Sequence, residues 1–192
     1  LHDASRPDTG RIAPGQTDVA DRALHRALLD LTVAAPLGDL LDIGCGRGRT
    51  LKLLANRANR AVGVDIDATA RQMARTELLL AGLPNCSLRY GDMYRLPFED
   101  KEFDTVILDD VLGNAERPAL ALLEAKRLTS DGGRLVILQR LASAPAGEMQ
   151  RALAEWSSAA GLRLGPARLV PPIQPQWLLA AATLAKGNVA AA

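Results

Sequence analysis

The sequence has little cysteine: Cys45 and Cys86 are the two in 192 residues. Two cysteines build no disulfide framework, and neither stands in a C-x-x-C or Cys/His spacing that would hold zinc. No metal site is expected, and a reducing, cytoplasmic setting is the simplest one. Charge of one sign is also lacking. Lys and Arg total 23 against 22 Asp and Glu, a formal net charge of +1. So small a net charge gives no general field for a nucleic-acid backbone, and no nucleic-acid partner is expected of this chain alone. Four of the basic residues are Lys and 19 are Arg, scattered along the chain, so no single arginine is marked as a phosphate clamp. No apolar run reaches the roughly eighteen residues of a membrane span, and the N-terminus lacks the charged-then-apolar order of a signal peptide. No membrane partner is expected.

What is present is an ordinary globular composition, 48% hydrophobic and 23% charged. The length suits one domain with a full-sized core. Residues 1–17, with Pro7, Gly10, Pro14 and Gly15 among polar neighbours, read as a flexible leader or the end of a linker. The domain is expected over residues 18–186 and a flexible tail over 187–192. The start at Leu1 rather than Met fits a fragment or a processed product.

From Asp18, apolar residues at Ala20, Leu24, Ala27, Leu28 and Leu31 follow helical spacing. Short apolar runs then alternate with amphipathic stretches. The spacing predicts strands over 39–43, 61–64, 86–90, 105–108 and 134–138, and helices over 49–60, 68–81 and 117–128. Near-continuous runs such as Val106-Ile107-Leu108 are what a parallel sheet covered on both faces requires. A helix over 147–160 precedes two further strand-like runs, 162–169 and 177–184. The Pro-rich joint between them, with Pro171, Pro172 and Pro175, holds no crossover helix, so they should form an antiparallel hairpin. The expected architecture is α/β and doubly wound: a mostly parallel seven-stranded, Rossmann-like sheet with a C-terminal antiparallel hairpin.

Three motifs sit where this sheet would bind a ligand. Asp42-Ile43-Gly44-Cys45-Gly46-Arg47-Gly48 runs from a strand through a glycine-rich turn into a helix. Alternate glycines let backbone approach a ligand closely. Val62-Gly63-Val64-Asp65 then ends the next strand in a carboxylate able to accept from both hydroxyls of a ribose. Nicotinamide-dependent oxidoreductases share those two features. The third, Tyr90-Gly91-Asp92-Met93 followed by Leu96-Pro97-Phe98, puts a carboxylate and a following N–H at a third strand end, where they can meet the edge of an adenine.

Together, D-x-G-x-G-x-G, V-G-V-D, G-D-x-x-x-L-P-F, F-D and D-G-G-R-L resemble class I S-adenosylmethionine (SAM)-dependent methyltransferases over roughly residues 37–138. Residues 85–98 look most like the methyltransferase-type domains found behind ArsR-type winged-helix regulators and, more distantly, are similar to ubiquinone and menaquinone biosynthesis methyltransferases. The resemblance implies SAM as cofactor and S-adenosylhomocysteine (SAH) as product. By position, Asp42, Gly44, Cys45, Gly46 and Gly48 line the methionine and ribose portion, and Asp65 holds the ribose. Ile66 packs on the adenine, while Gly91, Asp92 and Met93 read its edge. Cys45 is the small residue needed between two glycines, not a nucleophile.

The resemblance implies methyl transfer to a small-molecule acceptor, and a noncatalytic SAM/SAH-sensing module of a transcriptional regulator is the competing reading. The short segment over 139–147, where the regulator-linked group carries a longer one, motivates that alternative. Asp109 and Asp110 stand at the carboxyl edge of the fourth strand, where one could orient or deprotonate an acceptor. Capping of the following turn is the rival role for them. Trp156 and Trp177 suit the core or an interface, and a homodimer is among the assemblies this allows.

Overall fold

The computed structural model describes residues 14–33, 36–141, 145–173 and 175–185. Helix α1 (Pro14–Val33) leads into strand β1 (Asp39–Ile43), followed by α2 (Arg49–Leu54), β2 (Arg60–Asp65), α3 (Ala68–Leu80) and β3 (Cys86–Tyr90). The chain continues through β4 (Phe103–Asp109), α4 (Pro118–Leu128), β5 (Thr129–Arg140), α5 (Ala146–Ala159), β6 (Arg168–Val170) and β7 (Trp177–Thr183). These strands make one seven-stranded sheet in the order β3-β2-β1-β4-β5-β7-β6. The first five are mutually parallel, while β7 runs antiparallel to both β5 and β6. This is the expected doubly wound sheet with its terminal hairpin.

Strand alternation divides the apolar runs between two cores. Leu41, Ile43, Val106, Leu108, Leu135 and Ile137 face a layer built with Ala121, Leu122, Ala125 and Leu128 of α4 and Leu153 of α5. Leu40, Ile107, Val136 and Leu138 face the other layer, with Leu24, Ala27 and Leu28 of α1, Leu51 and Leu54 of α2 and Leu78 of α3. Each fully buried aliphatic side chain contributes on the order of 1.5–3 kcal/mol. The central strands are therefore rigid supports for whatever their ends carry. After β3 at one edge, the chain returns to the centre as β4 beside β1. This reversal opens a crevice at the carboxyl ends of β1 and β4.

Several boundaries differ from the sequence expectation. Helix α1 begins at Pro14, where the missing N–H of proline is no loss in a first helical turn. Residues 14–17 are thus helical rather than leader, and the rest of that leader (1–13) and the tail (187–192) lie outside the described residues. Helix α2 ends at Leu54 and gives way to a 3-10 turn over Ala55–Arg57. Asn85 ends the turn from a distance: its Nδ2 donates to the carbonyls of Ala55 and Ala58 at 2.8 and 3.1 Å. Strand β5, expected over 134–138, starts at Thr129 and carries a kink at Gly132, whose φ is 79°. The strand expected over 162–169 contracts to Arg168–Val170. Gly165 and Pro166 interrupt it, since proline supplies no ladder donor and glycine no side chain to pack.

Candidate functional site

The loop after β1 is made possible by Gly44 at φ 77°. A Cβ there would lie 2.0 Å from Val111 Cγ1, so the glycine lets the segment after β4 close over the loop. The loop's own donors turn inward. Gly44 N and Cys45 N both donate to Val64 O at 2.9 and 3.0 Å, and Gly48 N donates to Cys45 O at 2.8 Å. Gly46 N donates to Asp65 Oδ2 at 2.8 Å. Four of the loop's five N–H groups are thus spent within the chain, so it offers few of the free donors that hold a phosphate.

Asp65 ends β2 with its carboxylate locked between two backbone donors, Gly46 N on Oδ2 and Asp67 N on Oδ1, each at 2.8 Å. Each carboxylate oxygen retains further acceptor capacity. Asp67 in turn caps α3, accepting from Thr69 N and Ala70 N at 2.7 and 3.2 Å. Arg71 Nη1 donates to Asp65 O at 2.7 Å and places its guanidinium 5.5 Å from the Tyr90 ring. Past β3, Asp92 Oδ1 accepts from Tyr94 N at 3.0 Å, a local turn that fixes the carboxylate.

These strand ends enclose a cavity of about 530 Å³. Asp65, Ile66, Gly91, Asp92, Met93 and Gly44 line it, with Ile43, Tyr90, Tyr94, Val111 and Glu116. Ile66 and Tyr90 are each 66% exposed, an apolar pair left open at the rim. Six of the ten expected cofactor residues are thus brought together here; Asp42, at the end of β1, and Cys45, Gly46 and Gly48 of the loop are not among its lining residues. Sequence reasoning missed Val111 and Glu116, and it placed Tyr90 in the third motif without giving it a role in the site. Tyr90 immediately precedes the Gly91-Asp92 motif, and that adjacency was the available signal. Three carboxylates line the cavity, and no Lys, Arg or His stands among its described lining residues.

Behind this cavity lies a second acidic pair. Asp42 is fully buried and neither of its carboxyl oxygens has a hydrogen-bond partner among the described residues. Burial pushes its carboxyl well above the ordinary range, and nearby Asp109 pushes it further. Burial also raises Asp109, but the Arg49 guanidinium at 3.0 Å and the Thr50 hydroxyl at 2.7 Å pull it back. Asp42 is therefore the member of the pair that holds a proton. Arg49 also reaches Asp21 of α1 at 3.6 Å and lies 4.3 Å over the Trp177 ring. Burial pushes the Cys45 thiol up, keeping it protonated and inert.

Asp110 sits at φ 58°. Its Oδ1 accepts from Gln139 Nε2 and Arg140 N at 2.8 and 2.9 Å, and its Oδ2 pairs with Arg140 Nε at 3.3 Å. Both aspartates expected as candidates for acid–base work are thus engaged: Asp109 anchors the start of α2, and Asp110 ties β4 to β5. Neither lines the cavity.

A family model described as a methyltransferase domain matches residues 41–137, just over half of the chain. Among curated proteins, the chain is 37% identical over 124 residues to an uncharacterized 37.1 kDa protein in transposon TN4556 of Streptomyces fradiae, covering 63% of this chain and 35% of that protein. It is 34% identical over 129 residues to the ubiquinone/menaquinone biosynthesis C-methyltransferase UbiE of Burkholderia mallei, covering 64% of this chain and 53% of that protein. The chain thus spans about a third to a half of the length of these relatives. Among solved structures, a SAM-dependent methyltransferase from Aquifex aeolicus superposes with a TM-score of 0.72 at 18% identity, over 91% of this chain and all of that one. The [4+2]-cyclase SpnF superposes with a TM-score of 0.74 at 20% identity, over 94% of this chain and 86% of that one. At these identities the likeness shows the fold.

Proposed function

The chain belongs to the methyltransferase domain family, and on that premise we propose that it transfers a methyl group from SAM to a small-molecule acceptor. The family's cofactor is SAM and its product SAH. The observation that carries the reading is the Asp65 carboxylate, held at two oxygens by backbone N–H groups on the wall of a cavity whose charged lining is wholly acidic. SAM suits such a wall: its ribose offers two donors to Asp65, and its ammonium and sulfonium are cations.

When bound, SAM supplies an activated methyl on sulfur that needs little further electrophilic help. The protein's part is then orientation and exclusion of water, and proximity of this kind is worth several kcal/mol. Asp65 accepts the ribose hydroxyls. Ile66 and Tyr90 pack on the adenine, Asp92 accepts from its amino group, and the Met93 N–H meets a ring nitrogen. Gly44 keeps the loop thin enough for Val111 to border the same space. Asp109 and Asp110 act as anchors of this geometry rather than as proton acceptors.

The engagement of those two aspartates favours one further reading, a SAM/SAH-sensing module without turnover. Cytoplasmic residence rests on the two free cysteines; among the described residues no helix is long and apolar enough to cross a membrane. Calorimetric titration with SAM and SAH, then SAH formation with a panel of small acceptors, tests the proposal. Binding with turnover above background supports the enzyme; binding without turnover, with SAH much the tighter, overturns it in favour of the sensor.

A further inference from the structure

The Asp92–Phe98 segment leaves the cavity and crosses α4, where two side chains outside the site hold it. Glu124 Oε1 accepts from Leu96 N at 2.7 Å. Arg127 closes the same point from the other side, its Nη2 donating to Leu96 O at 3.2 Å and its Nη1 to Phe98 O at 3.0 Å. The two side chains are themselves paired twice, Nε to Oε2 at 2.8 Å and Nη2 to Oε1 at 2.7 Å. Burial alone would push the Glu124 carboxyl up, but the Arg127 and Leu96 hydrogen bonds more than offset it and hold it below its ordinary value. An ionised pair, with Glu124 only 9% exposed, therefore clasps both the amide and the carbonyl of one residue. A second tether lies two turns earlier, where Arg117 N at the head of α4 donates to Tyr94 Oη at 3.1 Å.

Leu96 transmits this grip to the ligand cavity. Its side chain is buried and presses on Gly91, where a Cβ would lie 2.4 Å from Leu96 Cδ2 and 3.1 Å from Val64 Cβ. Between Gly91 and Leu96, Arg95 N donates to Asp92 O at 3.0 Å and Tyr94 N to Asp92 Oδ1 at 3.0 Å, making the segment one closed turn. A shift of Leu96 relative to α4 therefore moves the Asp92 carboxylate and the Met93 N–H together. Hydrogen-bond selection between bases requires donors and acceptors held to a few tenths of an ångström.

We infer that Glu124 and Arg127 are positioning residues for adenine selection, acting through Leu96 on the Asp92–Met93 edge without touching the ligand. The inference rests on the placement of adenine proposed above. Its test compares SAH with S-inosyl-L-homocysteine, which carries a 6-oxo group and an N1–H where adenine carries an amino group and a bare nitrogen. The wild-type chain should bind SAH at least 100-fold more tightly, because both edge contacts are reversed in the analogue. Glu124→Gln, shown to be folded by circular dichroism at the assay temperature, should lose at least tenfold of that preference, mostly through weaker SAH binding. If Glu124→Gln does not fold, Arg127→Lys carries the same measurement, since it keeps a charge opposite Glu124 but cannot span Leu96 O and Phe98 O together. Folded variants that keep the full preference while melting at lower temperature overturn the inference and make the pair a plain structural clamp. A wild-type chain that binds the two ligands equally overturns the adenine placement itself.

Discussion

Replacing Asp65 by Ala probes the ribose contact and the loop together, and the structure separates the two effects. The carboxylate accepts from Gly46 N and Asp67 N at 2.8 Å each. Those bonds are made with or without ligand, and hydrogen bonds to a charged group are worth about 1.5–3 kcal/mol. Water replaces part of each at this half-buried position, so the net loss of folding stability should be about 1–2 kcal/mol. For a chain of this size that is a fall in Tm of roughly 2–8 °C. The two ribose hydroxyls add a separate loss confined to the complex, at about 1.5 kcal/mol each, or on the order of 100-fold in Kd. Calorimetry with SAH below the melting transition reads the second effect, and thermal unfolding of the ligand-free variant reads the first. Asp65→Asn should fall between wild type and Ala: its oxygen can keep one backbone donor, but its NH2 is set against the other. An affinity within threefold of wild type, alongside the lowered Tm, would refute the ribose assignment and leave Asp65 as a loop brace.

Asp42→Asn should raise stability at neutral pH. The folded-state carboxyl is raised by burial and Asp109 above its unfolded value, so its contribution is fullest below the ordinary carboxylate range and is lost as pH rises through the folded-state value, at about 1.4 kcal/mol per pH unit. Urea unfolding at pH 5 and 7 should show the variant's advantage growing with pH; a constant difference would count against a buried proton. Gly44→Ala meets Val111 Cγ1 at 2.0 Å with φ at 77°, a combined cost of about 2–4 kcal/mol. Adding Val111→Ala should restore the overpacking part, and a double variant no more stable than Gly44→Ala would exclude that contact as the cause. If the enzyme reading holds, Asp110→Asn should keep kcat within about threefold, because Asp110 bonds Gln139 and Arg140 rather than the cavity; a loss of 100-fold with an altered pH–rate profile would restore it as a base.

The parts of the site legible in the sequence are those set by local pattern. Asp65 follows an apolar strand and Asp92 a short polar-apolar one, each ending in a turn, and a strand end points its next residues at the crevice. Asp109 also ends a strand, but its fate depends on Arg49 and Thr50, sixty and fifty-nine positions away. No local pattern tells an anchor from a base. Helix α2 shows the same limit. Periodicity carries it through residue 60, whereas Asn85 captures the carbonyls of Ala55 and Ala58 and turns the chain earlier. The contraction of the first hairpin strand was, by contrast, readable in principle, since Gly165 and Pro166 are both poor ladder residues.

The glycine fingerprint by itself fits a dinucleotide as well as SAM, and the hydrogen-bond accounting of the loop decides between them. A diphosphate needs free donors, and the N–H groups of Gly44, Cys45, Gly46 and Gly48 are engaged within the chain, which leaves it only Arg47 N and the first turn of α2. It would instead face the carboxylates of Asp65, Asp92 and Glu116 without a basic side chain among the described lining residues. One like-charge contact at about 4 Å costs about 4 kcal/mol at an effective dielectric of 20, close to three orders of magnitude in Kd. Salt screening and movement of Glu116, which is exposed, reduce this, so NAD should bind at least 100-fold more weakly than SAM. The gap should narrow as salt rises from 50 to 500 mM. NAD binding within tenfold of SAM at low salt would mean that the loop opens to free its N–H groups, and the charge argument for SAM would fall with it.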